Sequence, residues 1–199
     1  RTARSNRKAF SGQGVRIAVL DTGVDTSHPE LAGRVSGTWR LNKSNGPAVR
    51  GSDMIADALH TDTDGHGTHV AGLICGDSVG VAPEATISSV LMMPHGYATT
   101  FDFVACLEWA ALQTDISVVC FSAGESPYNA SMERAVADLI RLGVAPFFAI
   151  GNDGENKTCS PGNYIDGISV GSVDPPDGQR VSSFSGSGRQ LQNGTSYEV

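Results

Sequence analysis

Apolar residues fall into short runs separated by turn-forming residues, and two periods alternate along the chain. Residues 15–20, 87–92, 116–121 and 144–150 are compact apolar runs of strand length, with shorter candidates at 167–172 and 179–184 around the turn Pro175-Pro176-Asp177-Gly178. Helical spacing governs 66–75, which follows Asp and Gly signals, and 101–112, where Phe103, Val104, Leu107, Trp109 and Ala110 share a face. It returns at 130–142, an amphipathic stretch stopped by Gly143. Residues 42–64 form a polar loop with few structural signals. Strands alternating with helices predict an α/β fold, a three-layer αβα sandwich with a mostly parallel central sheet. The expectation is one domain over residues 1–199, with residues 1–13 as an N-terminal arm. Such sheets bind ligands beyond the carboxyl ends of their strands. Asp21, Ser122-Ala123-Gly124 and Asn152 all follow predicted strands and are therefore expected at one edge.

Composition narrows this picture. The 199 residues are 40% hydrophobic and 18% charged, which fits a globular chain with a substantial core. A net charge of −7 argues against a nucleic-acid or anionic-membrane surface, apart from the arm with Arg1, Arg4, Arg7 and Lys8, read as a solvated tail. No stretch reaches the roughly 18 apolar residues of a membrane span, and no apolar leader core opens the chain. Cys75, Cys106, Cys120 and Cys159 lack the spacing of a disulfide framework and read as buried thiols, which favours a reducing, cytoplasmic setting over a secreted one.

Candidate chemistry lies in four blocks: Val19-Leu20-Asp21-Thr22-Gly23, Asp64-Gly65-His66-Gly67-Thr68-His69, Ile150-Gly151-Asn152-Asp153-Gly154 and Asn193-Gly194-Thr195-Ser196. An acid, an imidazole and a hydroxyl in the order Asp…His…Ser form one of the few chain orders that assemble a nucleophilic triad. Asp-Thr-Gly also serves aspartic peptidases, but those need two facing copies and one is present. A zinc site on His66 and His69 with Asp62 or Asp64 lacks the Glu of a His-Glu-x-x-His helix. Gly12-Gln13-Gly14 precedes a strand, so it is no dinucleotide fingerprint.

From about Gly14 to Ser196 these blocks resemble the subtilisin-like serine peptidases, the subtilases. The resemblance implies a serine endopeptidase with Ser196 as nucleophile, His66 as base, Asp21 orienting the imidazole and Asn152 donating to the oxyanion. It makes His69 structural. An extended peptide or protein substrate is expected along Ser122-Ala123-Gly124 and the segment around 95–100. The primary pocket is expected between Ser122–Gly124 and Ala149–Gly151, with its floor near 156–158. Glu125, Asp153 and Glu155 nearby read as solvated loop charges. No cofactor or catalytic metal is implied, and structural calcium in loops is a family habit without a nameable ligand set here.

Two departures from the family pattern set further expectations. Ser183-Phe184-Ser185 leads almost directly to Ser196, without the usual intervening Ala-Pro-Gly strand. The helix that the nucleophile normally opens is missing after Tyr197. Asp21 and His66 are therefore expected within hydrogen-bond reach, with Ser196 displaced. The chain is expected to need a completing segment or propeptide for solubility and activity, and a non-catalytic peptide-binding or regulatory module on the same scaffold is the alternative.

Overall fold

In a computed structural model, residues 10–44, 50–58, 61–126, 128–175, 178–188, 190–192 and 195–197 are described. The chain forms two compact units, residues 1–120 and 121–199.

The first unit holds β1 (Arg16–Asp21), β2 (Val35–Leu41), β3 (Met54–Ala56) and β4 (Thr86–Leu91), with helices α1 (His66–Cys75) and α2 (Thr100–Leu112). Its strands lie in the order β3-β2-β4-β1. β4 runs parallel to both β1 and β2, while β3 is antiparallel to β2. Register and the two-residue period of a strand show which helix covers which face. Ile17 pairs with Ile87, and both pack with Val19, Ala71 and Cys75 beneath α1. Leu20, Val90 and Trp39 are paired across the opposite face. There Trp39 meets Trp109 of α2 with ring centroids 5.2 Å apart. The first unit is thus layered helix, sheet, helix.

α2 begins at a capping box. Thr99 Oγ1 accepts from the Asp102 N–H, and Asp102 Oδ2 accepts from the Thr99 N–H at 2.8 Å. Asp102 is buried and also receives Lys43 Nζ at 2.9 Å.

In the second unit α3 (Ala130–Arg141) starts at Asn129, whose side chain accepts from the Ser131 and Met132 N–H groups, both at 3.0 Å. It buries Met132, Ala135, Val136 and Leu139 along one stripe. β5 (Val118–Phe121) leads into this unit, where Phe121 meets Phe148 edge to face at 5.8 Å. β6 (Ala145–Ala149) pairs in parallel with β7 (Ile168–Val170). Phe147, Ile168 and Val170 are exposed apolar side chains on this pair. β8 (Gln190–Gln192) and β9 (Thr195–Tyr197) form an antiparallel hairpin.

Three expectations need correcting. The stretch 42–64 is not all loop, since it holds β3 and the short turn Gly51–Asp53. β2 was not predicted because its sequence, Val-Ser-Gly-Thr-Trp-Arg-Leu, has no apolar run. A bulge between Val35 and Gly37 also breaks any simple alternation, so that Val35 packs with the cluster under α1 while Trp39 faces α2. At 179–184 a single bridge, Val181 to Val173, replaces the expected strand, because both valines face solvent and no partner row forms. Part of the adjoining turn, residues 176–177, and most of the N-terminal arm lie outside the described residues.

Asp102→Ala removes the carboxylate half of the capping box and the Lys43 partner, while the Thr99 hydroxyl still caps the helix. The Lys43 side chain is 46% exposed, so its ammonium stays hydrated and leaves no buried unpaired charge. The expected cost is therefore that of half a capping box, about 1 kcal/mol, measured as a lower denaturant midpoint at unchanged m-value.

Candidate active site

Asp21 is the last residue of β1 and is 1% exposed. Its Oδ1 lies 2.8 Å from His66 Nδ1 and accepts the Thr22 N–H at 2.7 Å. His66 opens α1 and leaves its side chain 47% exposed. The acid is thus held inside the unit while the imidazole reaches solvent. An ionised Asp21 can only accept, so the Nδ1–H tautomer faces it and Nε2 is left with a lone pair pointing away from the acid.

The helix start is seated on the strand exit by side chains that the motif reading passed over. Asp62 accepts five bonds: from the Thr22 hydroxyl at 2.7 Å, the Asp64 and Gly65 N–H groups at 3.0 and 2.9 Å, and the Thr68 N–H and hydroxyl at 2.8 and 2.6 Å. Thr22 Oγ1 accepts in turn from the Gly67 N–H, and Thr68 Oγ1 from the Asp25 N–H. A Cβ on Gly67 would collide with the Gly23 carbonyl oxygen, so α1 approaches the Asp-Thr-Gly turn as closely as bare backbone allows. The signal for Asp62 was its place a few residues before a helix start, where Asp and Asn commonly cap.

The two carboxylates are shifted in opposite directions. Burial pushes Asp21 above its ordinary 3.8, against the bonds from His66 and Thr22 that favour its charge. Its Oδ2 is buried with no hydrogen-bond partner among the described residues. Partial burial also opposes ionisation of Asp62, but the Thr68, Gly65, Asp64 and Thr22 donors outweigh it and hold Asp62 at about 2. With its oxygens occupied, Asp62 has no lone pair directed at a metal, and no group of three or more His, Cys, Asp or Glu among the described residues is arranged to hold one. His69 is exposed, so the structural part expected of it is not supported by burial.

In the second unit, Ser122-Ala123-Gly124 follows β5, and Asn152 lies on an exposed turn after β6, one residue beyond Gly151. The chain at 159–160 joins the two segments. Cys159 N–H donates to Ile150 O at 3.0 Å, while Ser160 and Glu125 exchange backbone bonds of 2.9 and 2.8 Å. The side chain beside Gly124 and Gly151 is that of Cys159, the residue after the expected 156–158. Backbone pairing at 159 and 160 fixes that register. The segment 95–100, expected as a second extended edge, is extended only in part. Pro94–Gly96 is a tight turn with His95 at φ +55°, Tyr97 and Thr99 are extended, and α2 begins at Thr100. Ser196 pairs with Leu191 in the β8–β9 hairpin and does not open a helix. Gly194, beside it, lies outside the described residues.

Folding linkage gives opposite outcomes for the two acids. A depressed carboxyl stabilises the fold above its ordinary pKa, and that contribution is lost as pH falls from about 4 to about 2; a raised one counts against the fold as pH rises past the ordinary value. Asp62→Asn should lose about 1–2 kcal/mol at neutral pH, allowing for partial exposure, and flatten the acid limb of the stability curve. Asp21→Asn should unfold no earlier than the parent at neutral pH. Thermal melts of both variants between pH 3 and 7 check this.

The chain is similar to known proteins over most of its length. The Peptidase S8 profile, described as the subtilase family, matches residues 12–199. Subtilisin-like protease 3 of Pseudogymnoascus destructans is 34% identical over 175 residues, 84% of this chain and 40% of that protein. Thermitase of Thermoactinomyces vulgaris is 32% identical over 180 residues, 87% of this chain and 60% of that protein. Among solved structures, sphericase superposes with a TM-score of 0.77 at 30% identity, and a cold adapted subtilisin-like serine proteinase with 0.73 at 33%. Each superposition covers 89% of this chain and 60% of the other. The chain therefore spans roughly 40–60% of the length of these relatives. The family match, the parallel α/β fold shared with solved relatives and the paired acid and imidazole together establish that this chain belongs to the subtilase family.

Proposed function

We propose that the protein carrying this chain is a serine endopeptidase acting through Asp21, His66 and Ser196. The observation that carries the reading is the 2.8 Å contact between a buried Asp21 and an imidazole whose ring remains open to solvent. A serine hydroxyl is a weak nucleophile until a base takes its proton. His66 Nε2 is that base: as Ser196 Oγ attacks the peptide carbonyl, the proton passes to Nε2, and the imidazolium is stabilised by Asp21. The oxyanion that forms receives the Asn152 side-chain amide. Collapse expels the amine with the proton from His66 and leaves an acyl-enzyme, which water cleaves by the same steps in reverse. The substrate lies extended along Ser122-Ala123-Gly124, bound mainly through its backbone.

A fluorophosphonate should label the protein at one serine, and Ser196→Ala should abolish labelling and peptide cleavage. Labelling that persists in Ser196→Ala overturns the assignment. Asp21→Asn should lower kcat about 10⁴-fold, because the amide holds the wrong tautomer. Asn152→Ala should cost about 10²–10³ in kcat with little change in KM, the signature of a contact made in the transition state.

A further inference from the structure

Two buried polar atoms stand unpaired toward the same end of α1. Asp21 Oδ2 and Ser89 Oγ have no hydrogen-bond partner among the described residues, and the two residues are 1% and 0% exposed. The third such atom, Arg34 Nε, belongs to the far end of the helix, where its guanidinium lies 3.9 Å from Asp77. Register brings Asp21 and Ser89 to one face. Val19 pairs with Ser89, and Asp21 shares the face of Val19, which α1 covers. They are diagonal neighbours on adjacent parallel strands. With a rise of about 3.3 Å per residue and strands about 4.8 Å apart, their Cα atoms are about 8 Å apart. Side chains on a strand stand nearly perpendicular to the sheet, so these two run side by side and do not meet. Two hydrogen bonds through one water span such a gap. A bridging water is the usual partner of buried polar groups that find none in the chain.

We propose that Ser89 is a positioning residue for the catalytic acid: its hydroxyl holds one buried water against Asp21 Oδ2, and that water gives the carboxylate's second oxygen a donor. This rests on the peptidase reading above. The Ser89 hydroxyl donates to the water, and the water donates to Oδ2. Oδ1 meanwhile accepts the Thr22 N–H and faces His66 Nδ1. With a donor on each oxygen the carboxylate plane cannot turn, and the oxygen aimed at the ring stays aimed. Few ionisable groups face Asp21. α1 offers it His66, β4 carries no ionisable side chain, β5 brings the Cys120 thiol to the same cluster, and Asp62 reaches Asp21 only through Thr22. A hydroxyl buried without a partner weakens a fold where alanine would not, so the bond to water is also what makes serine tolerable at this place.

The test follows the His66 ring protons by NMR against pH in the protein that carries this chain, with the signal assigned by its loss in His66→Gln. Without the hydroxyl that holds the water, Asp21 is short of a donor and binds the imidazolium more tightly. In Ser89→Ala the His66 pKa should therefore rise by about half a unit, roughly a threefold change in the protonation equilibrium. The acid limb of kcat/KM should move with it. Ser89→Thr, which keeps the hydroxyl, should titrate like the parent. A loss of packing alone would lower stability without moving the titration. A crystal structure of the parent should hold a water within hydrogen-bond distance of both Ser89 Oγ and Asp21 Oδ2, which decides the matter if the variants fail to fold. A His66 pKa unmoved in Ser89→Ala, an equal rise in Ser89→Thr, or no water between the two atoms overturns this proposal alone. A parent that neither labels with fluorophosphonate nor cleaves peptides overturns the peptidase reading, while the titration and the water still decide the link between Ser89 and Asp21.

Discussion

The carboxylate of Asp62 is the constraint on which the paired acid and imidazole depend. It gathers donors from the exit of β1, from the turn before α1 and from the first turn of that helix. Bonds to an ionised acceptor are stronger than neutral ones, and a negative charge at a helix start also meets the positive end of its dipole. With strand exit and helix start clamped together, Asp21 and His66 have little freedom left relative to each other. Gly67 completes the arrangement by letting the two backbones touch.

That rigidity matters because Asp21 is in an unfavourable place for a charge. It is almost fully buried, one oxygen has no partner among the described residues, and burial raises its pKa despite its bonds from Thr22 and His66. A carboxylate short of donors is a stronger acceptor toward the one ring that faces it. The two acids thus divide the work. Asp62 is fully satisfied and holds structure, while Asp21 is under-satisfied and biases the imidazole.

Much of this was legible in the residues. β1, β4, β5 and β6 are apolar runs within a residue or two of their predicted bounds, because buried parallel strands have no polar face to blur the signal. α1 begins at His66 as predicted, set by the Asp and Gly residues before it. Asp21 and His66 were readable because each sits in a distinctive string. β2 was harder to see because it mixes small and polar residues with apolar ones, and β3 because three residues are too few to show a period. Asp62 stood before a helix start, but that place alone did not set it above its neighbours. It draws its importance from five donors spread over residues 22–68.

Thr22 shows what a three-letter signature encodes. Its hydroxyl gives a proton to Asp62 and takes one from the Gly67 amide, while its carbonyl receives the Thr63 N–H. Valine matches its shape and alanine its smallness, but neither can point a bond both ways. Asp21-Thr22-Gly23 therefore reads as three separate specifications: a charge at the end of a strand, a two-way hydroxyl, and a carbonyl left uncovered for a passing helix. A distant sequence that met those specifications with other letters, such as serine in the middle place, would build the same corner and escape a search for the string.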